Sequence, residues 1–177
     1  VALHTAANGD YNAVSPSFRN NGRTPIALGG DAPFGELGLL NIGASAQLFL
    51  SAMIFDEVFA RHPNLQVLSM EHGASWVPGW LQQMDFTANT FKHFRKFVEK
   101  PSETAKRHLK FSPFSGEPVG WIIDSIGPDM LVFASDYPHP EGTADPIKRF
   151  ERSMPNCDQE VMDKFYYGNM LELMGGA

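Results

Sequence analysis

The chain has 177 residues, 43% of them apolar and 19% charged, enough for one domain with its own hydrophobic core. Its 14 basic and 20 acidic side chains give a net charge of -6, which argues against a nucleic-acid partner or an anionic membrane surface. The one cysteine, Cys157, cannot form an internal disulfide, and no apolar run approaches the ~20 residues of a membrane-spanning helix, so a cytoplasmic location is expected.

Residues 1–4, Val-Ala-Leu-His, read as a buried strand. Because the chain opens inside a strand and on Val rather than Met, the natural start is expected upstream, and the lack of a leader carries no weight. Residues 6–41 are rich in Gly, Asn and Pro and read as a long loop, either a functional lid or disordered. Residues 43–61 predict a helix with Leu48, Ala52, Phe55, Val58 and Phe59 on its apolar face, stopping before His62-Pro63. Residues 65–72 predict a second strand, nearly continuous in apolar residues.

Residues 75–98 predict a mostly helical stretch with Pro78 near its start, where proline is tolerated. Lys92, Arg95, Lys96 and Lys100 follow there and read as a solvated helix face. A weaker third strand is expected over 108–112, a short helix over 116–126 ending at Gly127-Pro128, and a fourth strand over 130–136. A last helix spans 157–174 and ends at Gly175-Gly176.

Strands alternating with helices predict an α/β fold with a parallel sheet and right-handed crossovers. Two architectures fit: an open doubly wound sheet, or half of a (β/α)8 TIM barrel, since four βα units are half of eight and a whole barrel needs ~250 residues.

Three of the four strands end in a residue able to bind a metal: His4, His72 and Asp136. Strand C-termini converge on the active face of such a barrel, so these side chains can meet despite their distance in sequence. Two imidazoles and a carboxylate suit Zn2+ or another divalent metal. Their metal-facing atoms are expected within ~3–7 Å of a common point, given metal bonds near 2 Å. Glu71, beside His72, is expected to point away from the barrel axis by strand alternation. His139, between two prolines, either reaches a substrate or braces its loop. His62, His93 and His108 read as structural, and Trp76 and Trp80 as packing of one helix. Phe18 and Phe34 lie in the long loop, where an apolar substrate is one reading among several.

Four stretches carry a resemblance to a known family: Val58-Phe59-Ala60-Arg61-His62-Pro63-Asn64-Leu65, His72-Gly73 with Pro78 six residues on, Ser135-Asp136-Tyr137-Pro138-His139, and Tyr167-Gly168-Asn169-Met170-Leu171. Together they resemble the amidohydrolase-related family, whose members include aminocarboxymuconate semialdehyde decarboxylase and related metal-dependent hydrolases. The resemblance implies one domain over 1–177, comprising strands five to eight of the barrel with their helices. It implies His4 as a metal ligand, Asp136 as ligand and proton acceptor for the attacking water, and His72 as the group that polarises the substrate. His139 is the candidate substrate contact. The family's first-strand His-x-His pair has no counterpart here. The expected activity is hydrolysis of a small organic substrate, with decarboxylation of a conjugated or aromatic acid as the alternative. A half barrel also leaves sheet edges open, so a homo-oligomer is expected, and a catalytically inactive, self-associating fragment is the reading from a different class.

Overall fold

The structure is a computed structural model that describes residues 1–4, 35–139 and 143–175. Most of the loop expected over 6–41, with Phe18 and Phe34, lies outside the described residues. Strands β1 (Ala2–His4), β2 (Val67–Met70) and β3 (Leu109–Phe111) form one parallel sheet in the order β1-β2-β3. Leu3 stands opposite Ser69, and Ser69 opposite Phe111. All three residues of β3 and the first three of β2 are buried, as parallel strands covered on both faces should be.

The expected fourth strand is reduced to a bridge. Pro128–Met130 is a turn of 3-10 helix, and Leu131 then pairs with Phe111 in a single parallel bridge. The Val132 N–H donates to the Phe111 carbonyl at 2.9 Å. The next ladder group is taken elsewhere, because the Phe133 N–H donates to the Phe165 carbonyl of the last helical segment. The path of a fourth strand is kept, and its ladder is not.

Helices differ from expectation in face and in number. A five-residue helix, α1 (Glu36–Leu40), occupies the end of the expected loop. The helix expected over 43–61 is two, α2 (Ala44–Phe55) and α3 (Val58–Arg61), broken where Glu57 takes φ 54°. The buried stripe of α2 is Ala46, Leu50 and Ile54, whereas Leu48 and Ala52 are exposed. The reason is that α2 is apolar nearly all round, so a spacing of three and four fits two faces equally well. Gly38–Phe55 is in fact apolar enough over 18 residues to meet the composition of a membrane span. That stretch is interrupted by a turn at 41–43, and its buried stripe joins the core.

The helical stretch expected to reach residue 98 ends earlier, as α4 (Val77–Thr90). A helix not foreseen, α5 (Pro101–His108), leads into β3 with proline in its first turn. Asp85 of α4 ties it down, accepting from the Ser102 N–H at 3.0 Å and its hydroxyl at 2.8 Å. Next come α6 (Val119–Ile126) and another unforeseen helix, α7 (Pro146–Ser153). The expected last helix is a run of three pieces: α8 (Gln159–Asp163), a π-helical turn (Lys164–Gly168) and α9 (Asn169–Leu173).

The core lies where these helices cover the sheet, with Leu50, Phe59, Phe111, Ile122, Phe150 and Phe165 fully enclosed. Trp80 is buried there and donates its indole N–H to Ser51 at 2.8 Å, and Trp76 packs edge-on against it. His108 is buried, stacks on Phe59 and bonds the Leu65 carbonyl at 2.9 Å, a structural role. His62 and His93 are exposed, as are Lys92, Arg95, Lys96 and Lys100.

Candidate metal centre

β1 and β2 run side by side, so their C-terminal ends deliver His4 and Glu71 to the same edge of the sheet. The His4 Nε2 and a Glu71 carboxylate oxygen lie 2.9 Å apart. Alternation would send Glu71 the other way. It fails because Glu71 takes φ 58°, in the left-handed region, which ends the pleat one residue past the strand and turns the carboxylate round. Glu71 is therefore a site residue that alternation hides. A helpful signal was nevertheless present: Gly73 follows closely, also with positive φ, and marks a tight corner at the strand end.

His72 follows Glu71 and is buried. Its Nδ1 lies 3.0 Å from the Ser69 hydroxyl, and its carbonyl accepts from the Trp76 indole N–H at 3.0 Å. Burial, and then the neighbouring His4, push its pKa down to about 4. The ring is thus neutral at neutral pH, with one nitrogen able to donate and one to accept.

Asp136 ends the last extended segment and repeats the geometry of Glu71, with φ 51°. The His139 N–H closes a turn on the Asp136 carbonyl at 2.9 Å, and its Nδ1 comes within 3.4 Å of the Asp136 carboxylate. Among the described residues, Glu71, Asp136 and His139 each present one donor atom, all within 4.8 Å of one another. A cavity of about 240 Å³ is lined by Glu71 and Asp136 together with Phe114 and Ser115 of the loop after β3.

Two carboxylate oxygens and an imidazole nitrogen are a donor set that Zn2+ and Mn2+ both accept. With bonds of roughly 2.1 Å at tetrahedral angles, ligand atoms on one ion stand about 3.4 Å apart, so the widest separation in the cluster would have to close by up to about 1.4 Å. The residues fit a divalent metal. Of the side chains expected at the site, Asp136 and His139 join this cluster directly. His4 reaches it through Glu71, and His72 sits beside it in a buried pocket of its own bonds.

A sequence profile of the amidohydrolase family matches residues 8–175. The chain belongs to that family. Among solved structures it is similar to an amidohydrolase from Mycobacterium avium subsp. paratuberculosis K-10, with 25% identity and a TM-score of 0.78 over 99% of this chain and 42% of that one. A 5-carboxyvanillate decarboxylase from Sphingomonas paucimobilis matches with 21% identity and a TM-score of 0.63, over 90% of this chain and 45% of that one. A dihydroxybenzoic acid decarboxylase from Polaromonas sp. JS666, with bound manganese and the inhibitor 2-nitroresorcinol, matches with 16% identity and a TM-score of 0.57, over 75% of this chain and 40% of that one. The chain therefore spans somewhat less than half the length of these relatives.

Proposed function

We propose that this chain forms strands five to eight of a (β/α)8 barrel, and that the whole protein is a metal-dependent hydrolase of a small organic substrate. The observation that carries the reading is the grouping of Glu71, Asp136 and His139 beside a cavity at the strand ends. Glu71, Asp136 and His139 would hold the ion, with His4 as a further ligand or as the partner that orients Glu71. A divalent cation there supplies Lewis acidity and lowers the pKa of a water, to about 7 with zinc. Asp136 then accepts the proton of the attacking water and returns it to the leaving group, which needs only hydrogen-bond reach. His72, neutral and held by Ser69, would donate to the substrate oxygen as negative charge builds on it. His139, 3.4 Å from the Asp136 carboxylate, would be the substrate contact if it does not hold the ion.

A second reading shares the site. Two similar structures are decarboxylases of aromatic acids, one of them with bound manganese, so carbon dioxide is an alternative leaving group and Mn2+ an alternative to Zn2+. The same proposal includes a homo-oligomer, a cytoplasmic location and no nucleic-acid or membrane partner; an inactive, self-associating fragment is the competing outcome.

The test is made on the full-length protein. Its metal content should be about one or two ions per subunit, and chelation should abolish turnover that Zn2+ or Mn2+ restores. Assays for ester or amide hydrolysis, and for carbon dioxide release from hydroxylated benzoates, separate the two reactions. A full-length protein without metal and without either activity would leave the inactive-fragment reading standing.

A further inference from the structure

One carboxylate near this end of the sheet belongs to none of the candidate metal donors. Glu117 stands just before α6, in the loop that follows β3. Its two oxygens accept four hydrogen bonds from three backbone N–H groups. Ala74 donates to both oxygens at 3.0 Å, Ser75 donates at 2.7 Å, and Phe114 donates at 2.7 Å. Ala74 and Ser75 belong to the corner that leaves Glu71 and His72. Phe114 belongs to the loop after β3 and lines the same cavity as Glu71. A single side chain thus ties the Glu71–His72 corner to the loop after β3.

Gly73 shows how closely the parts meet. It takes φ 65°, and a Cβ there would lie 3.0 Å from a Glu117 oxygen and 3.1 Å from the Phe114 ring. A side chain there would press on both the carboxylate and the Phe114 ring, and the positive φ would strain it as well. Charge-assisted bonds to backbone N–H groups are short and about twice as strong as neutral ones, so the clamp is stiff.

We infer that Glu117 is a positioning residue: it latches the Glu71–His72 corner onto the Phe114 loop, fixing the metal donor Glu71 and the width of the substrate cavity. The inference rests on the metal-centre reading of Glu71. Glu117 contacts neither metal nor substrate and acts through the backbone. Groups that hold metal ligands in place typically affect metal affinity or activity 10–100-fold when changed.

The test uses full-length protein, with Mn2+ as the probe. Glu117→Gln keeps the shape but replaces one acceptor oxygen by a donor NH2 that faces N–H groups. Glu117→Asp keeps the charge and is shorter by one methylene. Free Mn2+ is read by electron paramagnetic resonance, amide exchange at Ala74, Ser75 and Phe114 by hydrogen–deuterium exchange, and kcat and KM at saturating metal. Glu117→Gln should speed exchange at those three amides, weaken Mn2+ binding about tenfold and lower kcat about tenfold or more. Glu117→Asp should recover part of each effect.

Faster exchange with wild-type Mn2+ affinity and wild-type kcat would overturn the latch, leaving Glu117 a purely structural carboxylate. If Glu117→Gln does not fold, Gly73→Ala presses on the same contact from the other side and should give the same pattern of losses; unchanged binding and turnover in that variant also overturn the proposal. A wild type that neither binds Mn2+ nor turns over removes the metal-centre reading and the latch together, whereas normal wild-type binding with unaffected variants removes the latch alone.

Discussion

At the scale of single residues, the two carboxylates differ in what their loss should do. Asp136→Asn in the full-length protein keeps the shape and one oxygen donor but removes the proton acceptor. At saturating metal its rate should fall by about 10²–10⁴-fold, the usual cost of losing a general base. Near-normal turnover under those conditions would make Asp136 structural. Glu71→Gln should act on binding instead, because Glu71 bridges His4 and the Asp136–His139 pair. The expected result is metal affinity weakened by about tenfold or more, with much of the rate recovered as metal is raised. His139→Ala tests its place in the cluster: a drop in metal affinity marks it as a ligand, and a rise in KM alone marks it as a substrate contact. Equilibrium dialysis alongside steady-state kinetics distinguishes these outcomes.

At the scale of elements, most of the strands were legible in the sequence, because short apolar runs ending in polar residues are what buried parallel strands look like. Residues 65–72 contain β2, and the polar end of that run carries Glu71 and His72 of the candidate site. Two features resisted reading. The sequence does not show which face of α2 is buried, because Leu48 and Leu50 are equally apolar and only the packed core chooses between them. Glu71 escapes a sequence reading because alternation assumes extended backbone, and a left-handed φ is not visible in residue type. The helices α5 and α7 were missed because both are short, polar and opened by proline, which reads as a break as readily as a start. Asn169 shows another kind of hidden information. It is buried in the last helical run, and its side-chain amide donates to the Pro128 and Leu131 carbonyls, both at 2.7 Å. It thereby anchors the start of the segment that ends in Asp136. Asn169→Leu should cost about 1–3 kcal/mol, the penalty for leaving buried acceptors unmet, and lower the urea midpoint accordingly. An unchanged midpoint would show that other contacts hold that segment.

At the scale of the whole molecule, the chain presents many large apolar side chains to solvent, including Leu40, Leu48, Phe86, Phe91, Phe94 and Val98. Exposed apolar side chains in this number favour association wherever they cluster. The 177 residues expressed alone should self-associate in sedimentation experiments and bind Zn2+ weakly, since the first-strand histidine pair of the family has no counterpart in them. Tight stoichiometric zinc on this chain would show that the pair is dispensable. The full-length protein, if the barrel reading holds, should instead bury part of this surface and sediment as one defined species.

The left-handed corners at Glu71 and Asp136 set a limit on how this protein can be improved. Non-glycine residues in that conformation cost roughly 1–2 kcal/mol, and glycine escapes the cost. In metal-free protein, Glu71→Gly should therefore be more stable than Glu71→Ala by about 1 kcal/mol, although both lose the carboxylate. Chemical denaturation of the pair isolates the backbone contribution. A directed-evolution campaign that selected only for heat resistance would drift toward glycine at both corners and discard two of the proposed metal donors on the way. Selection has to include function at every round, because here ruggedness and chemistry compete for the same two positions.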